Sequence, residues 1–318
     1  MKKKNLLLTT LLLAQVVSAQ ALKQGTLSNV TKLTDDTQRY ENPRWSPDGT
    51  KISFTNEGYE GLYVMDMDGK HKAQLSNAAS VGYMHQWSAD SREILVRDTR
   101  LSTSDNGLER VHAAWILGID GSKTRATADA ADMQPAAWRY SAAGAKSIVV
   151  NDNKISPTAL AKVPSVVMKK AKTVTTANVS FICDSESLYV VDAEGNKKMI
   201  NDESSFCPAL SPNGKMVAFN QLDDIVVMNI DGSGKRVLSV GFNPSWVNDS
   251  QIVFERTTDD GHSYTSGELY IMNVDGSSLK ALTSTQSMIE MNPCVSPDGN
   301  KVTFVSFTDG QIYSAELK

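Results

Sequence analysis

Four histidines, three cysteines and thirty-six acidic residues are the side chains with which this 318-residue chain could do metal or acid–base chemistry. His85, His112 and His262 lie in segments that a folded chain can bring to one face, and imidazoles are common transition-metal ligands. Glu109, Asp259 and Asp260 lie in the same segments, where two carboxylates could act as the acid and base of a glycosidase. Loop carboxylates are, however, normally just solvated. Asp66-Met67-Asp68-Gly69 begins like a calcium loop but lacks the later spaced ligands and the closing Glu, so a hairpin turn explains it better. Cys183, Cys207 and Cys294 are odd in number and lack metal spacing. They read as small buried apolar residues, and a Cys183–Cys207 bridge is the less favoured alternative. No nucleophile elbow, phosphate-binding loop or dinucleotide glycine pattern occurs. These residues predict no enzyme and no cofactor or metal.

A second set of residues is marked by position. Asn42, Asn243 and Asn292 each precede a proline, and Met84, Gln134 and Cys207 hold the corresponding place in related segments. Such a mostly amide ring could bind a peptide or another polar group. The competing explanation is equally sound, since Asn before Pro is ordinary turn chemistry. Around these positions stand Tyr40, Glu41, Tyr83, His85, Arg100, Arg110, His262, Tyr264 and Glu290. Tyr and Arg are favoured as interface anchors. The expected partner-binding set is therefore Tyr40, Glu41, Asn42, Tyr83, His85, Arg100, Arg110, Asn243, His262, Tyr264, Glu290 and Asn292.

The elements that must hold these residues come from a repeat. Asn42-Pro43-Arg44-Trp45-Ser46-Pro47-Asp48-Gly49 returns around Trp87-Ser88, Pro208-Ala209-Leu210-Ser211-Pro212-Asn213-Gly214, Asn243-Pro244-Ser245-Trp246 and Asn292-Pro293-Cys294-Val295-Ser296-Pro297-Asp298-Gly299. A worn copy lies at Tyr140–Lys146. A second pattern, an apolar strand ending in an acidic-Gly turn, runs Leu62–Gly69 and recurs before Gly121, Gly195, Gly232 and Gly276. In Ser-Pro-Asp-Gly the proline fixes φ, the aspartate bonds its own backbone and the glycine takes positive φ. Asp-Gly between apolar runs is a hairpin signal. Each unit thus reads as four antiparallel strands, A to D, the signature of a β-propeller blade.

Six units are counted. The last stops after its third strand, Gln311–Leu317, and Val30-Thr31-Lys32-Leu33-Thr34 matches the missing fourth. The predicted fold is all-β: a six-bladed propeller whose N-terminal strand completes the last blade and removes an open edge. The third unit carries an extra stretch, 151–186, in which Val179–Ile182 could be an inner strand of a degenerate seventh blade. If strand A runs from the upper face to the lower, the uniform turns lie below. The unlike connections Arg97–His112, Asn151–Glu186 and Arg256–Gly267 then lie above, and insertions gathered on one face mark a binding face.

These repeats resemble the TolB-like (PD40, WD40-like) propeller family, on Trp45-Ser46-Pro47-Asp48-Gly49, Tyr63-Val64-Met65-Asp66 and Asp68-Gly69. The resemblance covers nearly the whole chain after its leader. It implies a non-enzymatic periplasmic protein of a Tol–Pal-like envelope system that binds a peptidoglycan-associated lipoprotein. The namesake carries an α/β domain before its propeller, for which only about ten residues are present here, so functions of that domain are not carried over. Oligogalacturonate lyases are similar in fold and use His and Gln metal ligands. None of their motifs is matched, and a metal-dependent carbohydrate-active enzyme is the alternative reading.

Residues 1–19 read as a secretory signal: Lys2, Lys3 and Lys4, a leucine-rich core too short to span a bilayer, and the small-residue site Val17-Ser18-Ala19. Cleavage before Gln20 leaves one propeller domain, 20–318, in the periplasm or outside the cell. Without those three lysines the formal net charge falls from −4 to −7, which argues against nucleic acid and anionic membranes as partners. A monomer without a membrane span is expected. Six blades use up almost all of the length, leaving little chain for a catalytic domain.

Overall fold

The computed structural model describes residues 27–104, 107–131, 133, 136–140, 146–150, 153–155, 180–184, 187–192 and 197–318. The expected leader and Gln134 lie outside them. The chain starts with β1 (Leu27–Lys32), then forms a first sheet of β2 (Tyr40–Trp45), β3 (Lys51–Asn56), β4 (Glu60–Asp66) and β5 (Ala73–Ser76). The second sheet is β6 (Gln86–Trp87), β7 (Glu93–Ser104), β8 (Gly107–Gly118) and β9 (Lys123–Arg125). The third is β10 (Ala137–Tyr140), β11 (Lys146–Val150) and β12 (Asn153–Ile155), and the fourth β13 (Ser180–Asp184), β14 (Ser187–Val191) and β15 (Lys197–Asn201). The fifth is β16 (Ser205–Leu210), β17 (Met216–Gln221), β18 (Asp224–Asn229) and β19 (Arg236–Val240). The sixth is β20 (Phe242–Asn248), β21 (Gln251–Asp259), β22 (Tyr264–Asn273) and β23 (Lys280–Ala281). β24 (Glu290–Val295), β25 (Lys301–Ser306) and β26 (Gln311–Leu317) make the seventh, with β1 as its outer strand.

The ring closes as expected: β1 pairs antiparallel with β26, Leu27 opposite Leu317 and Thr31 opposite Ser314. The count of six does not hold. The described residues form seven antiparallel sheets, because the stretch read as the third blade holds two, and β13 packs between β10 and β16. Residues 156–187 carry no Ser-Pro-Asp-Gly copy, so counting turns passes over that sheet. Two of the connections expected to be loops are strand extensions instead. β7 and β8 stay paired from Glu93↔Gly118 to Ser104↔Gly107, and β21 and β22 as far as Asp259↔Tyr264. Most of 151–186 lies outside the described residues.

Turn chemistry works as the sequence implies. Ser46 Oγ donates to Asp48 Oδ1 (2.6 Å) and accepts from Lys51 N–H (2.9 Å), while Asp48 Oδ1 also accepts from Thr50 N–H (3.0 Å). The same Ser–Asp bond recurs at Ser88–Asp90 and Ser296–Asp298, with Asn213 replacing Asp beside Ser211. Gly49 and Gly299 stand at φ 72° and 75°.

Each blade is packed between two others, so its middle strands are buried on both sides and read as apolar runs. Phe54, Phe219, Phe254 and Phe304 are fully buried at the same place in β3, β17, β21 and β25. Indoles tie neighbouring blades. Trp45 Nε1 donates to Cys294 O (3.1 Å), Trp87 to Arg44 O (3.2 Å), Trp138 to Gln86 O (2.9 Å) and Trp246 to Ala209 O (2.8 Å). Each indole fills the space between two inner strands and gives its N–H a carbonyl partner on the neighbouring blade.

Candidate functional site: the upper mouth of the channel

The ring positions share one backbone conformation. Asn42, Met84, Cys207, Asn243 and Asn292 have φ of 54°, 53°, 51°, 54° and 52°. In four of them the pairing register breaks there, between Glu41 and Arg44, Phe206 and Ala209, Phe242 and Ser245, and Met291 and Cys294. These four inner strands, β2, β16, β20 and β24, therefore carry a bulge near their start, where the following proline forfeits no ladder bond. Asparagine tolerates this left-handed conformation best among residues with a side chain, so conformation accounts for its recurrence. Met84 and Cys207 adopt it without an amide.

The amides also work across blades. Asn292 Oδ1 accepts from Asn42 N–H (3.4 Å), and Asn42 Nδ2 donates to Gly82 O (3.1 Å). Asn220 Oδ1 accepts from Asn243 N–H (2.9 Å), and Asn243 Nδ2 donates to Glu255 Oε1 (3.0 Å). Glu255 Oε2 accepts from Asn292 N–H. Glu255 is 2% exposed, and burial pushes its carboxyl up to about 7 against the pull of these two donors. Arg44 sits two residues deeper on β2, its Nε on Asn42 Oδ1 (3.3 Å). Its charge holds down the pKa of His85 and opposes the burial-driven rise at Cys207 and Cys294.

Above this ring opens a cavity of about 670 Å³, walled by sheets one, five, six and seven. That volume lies within the usual range for binding pockets, about 300–1,000 Å³. Tyr40, Glu41, Asn243, Tyr264 and Asn292 of the expected set line it. Tyr40 is buried, its hydroxyl bonded to Asp36 (2.9 Å) and Lys72 (2.8 Å), so it contributes wall and not reach. Glu41 Oε1 accepts from Tyr59 N–H (2.7 Å), and burial raises its pKa. Sequence reasoning missed Tyr59, Phe206, Glu255 and Phe307, which also line the cavity.

The rest of the set falls elsewhere. Tyr83 lies beside the mouth, edge-on to Tyr59 (5.4 Å between ring centres) and under Arg97 (5.6 Å). On the β7–β8 hairpin Arg100 pairs with Asp129, which follows β9, and Arg110 is exposed opposite Leu101. His262 tops the β21–β22 hairpin, its N–H on Asp260 Oδ1 (2.9 Å). His85 is fully buried between Ser53 Oγ (2.8 Å) and Gly82 O (2.9 Å), and burial with the Arg44 charge pushes it down to about 3. It is neutral, with Nδ1 as the donor to the carbonyl. Glu290 is 1% exposed, bonded to Thr285 Oγ1 (2.8 Å), and burial pushes it up to about 7.

His112 bonds Thr99 (2.9 Å) on the second sheet, whereas His262 tops a hairpin of the sixth. Among the described residues, no three His, Cys, Asp or Glu side chains gather as a metal site. The three cysteines are free thiols. Burial pushes Cys183 up to about 12, and Cys207 is raised too: it faces the cavity yet is crowded by protein on its other sides. Neither thiol is activated. No described helix is long and apolar enough to cross a membrane.

No family model matches the chain. A TolB homologue from Chlorobium luteolum is 28% identical over 122 residues, 36% of this chain and 27% of the relative, so the match spans well under two thirds of that protein. Among solved structures, a TolB described as putative from Agrobacterium tumefaciens superposes with a TM-score of 0.53 at 16% identity, covering 91% of this chain and 97% of its own. A chain of the mitotic checkpoint complex reaches 0.58 at 14% identity, covering 92% of each. The structural likenesses establish the propeller fold. With the recurring turn motif and the N-terminal strand closing the ring, the chain is a β-propeller that over part of its length resembles a TolB homologue.

Proposed function

We propose that this propeller is an exported, non-enzymatic protein of the periplasm that binds a protein partner through its upper face, a lipoprotein of the cell envelope being the expected class. The observation carrying this reading is the 670 Å³ aromatic and polar cavity at the upper mouth. The lower face, by contrast, is built from near-identical turns whose Asp and Ser groups bond one another. The sequence match to a TolB homologue supports an envelope role. The gathered donors and acceptors hold neighbouring blades together, and the thiols and His85 are held in unreactive forms, so binding is favoured over chemistry.

The test is capture from solubilised envelope with the protein immobilised, comparing wild type with Tyr59→Ala/Tyr264→Ala and with a lower-face control, Asp68→Asn. A partner lost only with the upper-face variant is expected; equal recovery by all three would refute the assignment. Mass spectrometry of protein from the periplasmic fraction, with a mature terminus at Gln20, checks export.

A further inference from the structure

The walls of the mouth are unevenly charged. Glu41, Asp223, Glu255 and Asp259 line it, and among the described residues none has a cationic partner within ion-pair distance. Arg39 is the one basic side chain lining the cavity. It is already committed, to Glu57 at 3.3 Å and to Phe307 O at 2.5 Å. Aromatic surface stands beside these carboxylates: Tyr59 packs edge-on with Tyr83, and Tyr264 with Phe307 at 5.3 Å. Aromatic faces next to carboxylates, in a recess where field lines concentrate, favour a cation. Below the mouth the sign reverses, because Arg44 lies in the channel. A cation entering from above is held at the mouth and not drawn through.

We propose that the mouth receives a lysine- or arginine-bearing extended segment of the protein partner. Its cationic side chain sits between Tyr59 and Tyr264 and faces Asp223, Asp259 and Glu255. This rests on the reading of the upper face as the binding face, and adds the chemistry of what binds there. A neutral or acidic segment would leave the negative field of the mouth unanswered. Seating a cation beside Glu255 favours its ionised form, so binding expels a proton and tightens as pH rises through about 7.

Random dodecapeptides displayed on phage are selected on the purified protein at low salt and pH 7.5, and in parallel on Asp223→Asn/Asp259→Asn and Tyr59→Ala/Tyr264→Ala, each checked for an unchanged melting temperature. Wild type is expected to enrich Lys and Arg, and both variants to lose that enrichment. A selected peptide is then titrated by calorimetry against its Lys/Arg→Gln counterpart. The counterpart is expected to bind about tenfold more weakly, and the parent to tighten severalfold from pH 6 to 8 in wild type but not in Glu255→Gln. Peptides that need Tyr59 and Tyr264 but show no basic excess would overturn the cationic assignment and leave the upper face standing as the binding face. Basic peptides indifferent to both variants would overturn the cationic assignment, because they bind away from the mouth. Failure to select any peptide would overturn the cationic segment alone, since capture of the envelope partner is scored separately.

Discussion

Glu255→Gln should make this protein more stable in alkali and leave it nearly unchanged in acid. Glu255 is 2% exposed, and its carboxyl is pushed from 4.5 to about 7, first by burial, with the Asn292 N–H and Asn243 Nδ2 donors pulling the other way. Below pH 4.5 it is protonated in both folded and unfolded chains and contributes no pH dependence. Between 4.5 and 7 the folded protein keeps a proton that the unfolded chain releases, so stability falls as pH rises. A shift of that size corresponds to about 3 kcal/mol, fully lost above pH 7. Glutamine keeps the shape and an acceptor for Asn292 N–H, and Asn243 can turn its amide oxygen toward the new NH₂. Urea unfolding followed by tryptophan fluorescence at pH 5 and pH 8 gives the comparison. The variant should match wild type within about 1 kcal/mol at pH 5 and exceed it by about 2–3 kcal/mol at pH 8. A difference between the two proteins that does not change with pH would refute the argument, because a mere packing or hydrogen-bond effect has no reason to titrate.

Trp246→Phe removes the donor to Ala209 O and should cost about 1 kcal/mol in urea unfolding, the net loss of one part-buried hydrogen bond. Phe304→Ala, at 1% exposure between sheets six and seven, should cost about 3–5 kcal/mol. Gly299 and Gly276 have similar φ, 75° and 86°, but a Cβ on Gly299 would lie 2.5 Å from Val247 O while one on Gly276 meets nothing within 4 Å. Gly299→Ala should therefore lower the melting temperature clearly more than Gly276→Ala, and equal losses would mean backbone strain alone decides. Deleting Leu27–Lys32 bares the edge of β26, so light scattering during storage should rise well above that of the full chain.

What the sequence made legible is what repeats locally. Ser-Pro-Asp-Gly and Asp-Gly carry their own conformations, so the hairpins, the strand order and the closing of the ring by the N-terminus could be read without knowing any long-range contact. The fourth sheet was legible only as an alternative: Val179–Ile182 offered the inner strand of a seventh blade, which β13 supplies, but β13 and β14 meet without such a turn, and a strand like Ser180–Asp184 looks the same in a blade or in an insertion. The ring of mouth positions was legible for the same local reason. Met84 and Cys207 sharing the backbone of Asn42 shows that the spacing recorded a bulge before it recorded a binding group. His85 and Glu290 were chosen by type and prove to be buried, since alternation along a short segment does not say which side faces a neighbouring blade. The cavity walls came from departures from the repeat. After the buried phenylalanine of β3, β17, β21 and β25 stand Thr55, Asn220, Glu255 and Val305, and only the sixth sheet places a carboxyl there. An acid in the middle of an apolar strand, where its counterparts are neutral, is a signal available from the sequence alone. In a chain built of copies, the scaffold is written in what the copies share, and the position that gives the mouth its buried charge is one where a single copy disagrees with the rest.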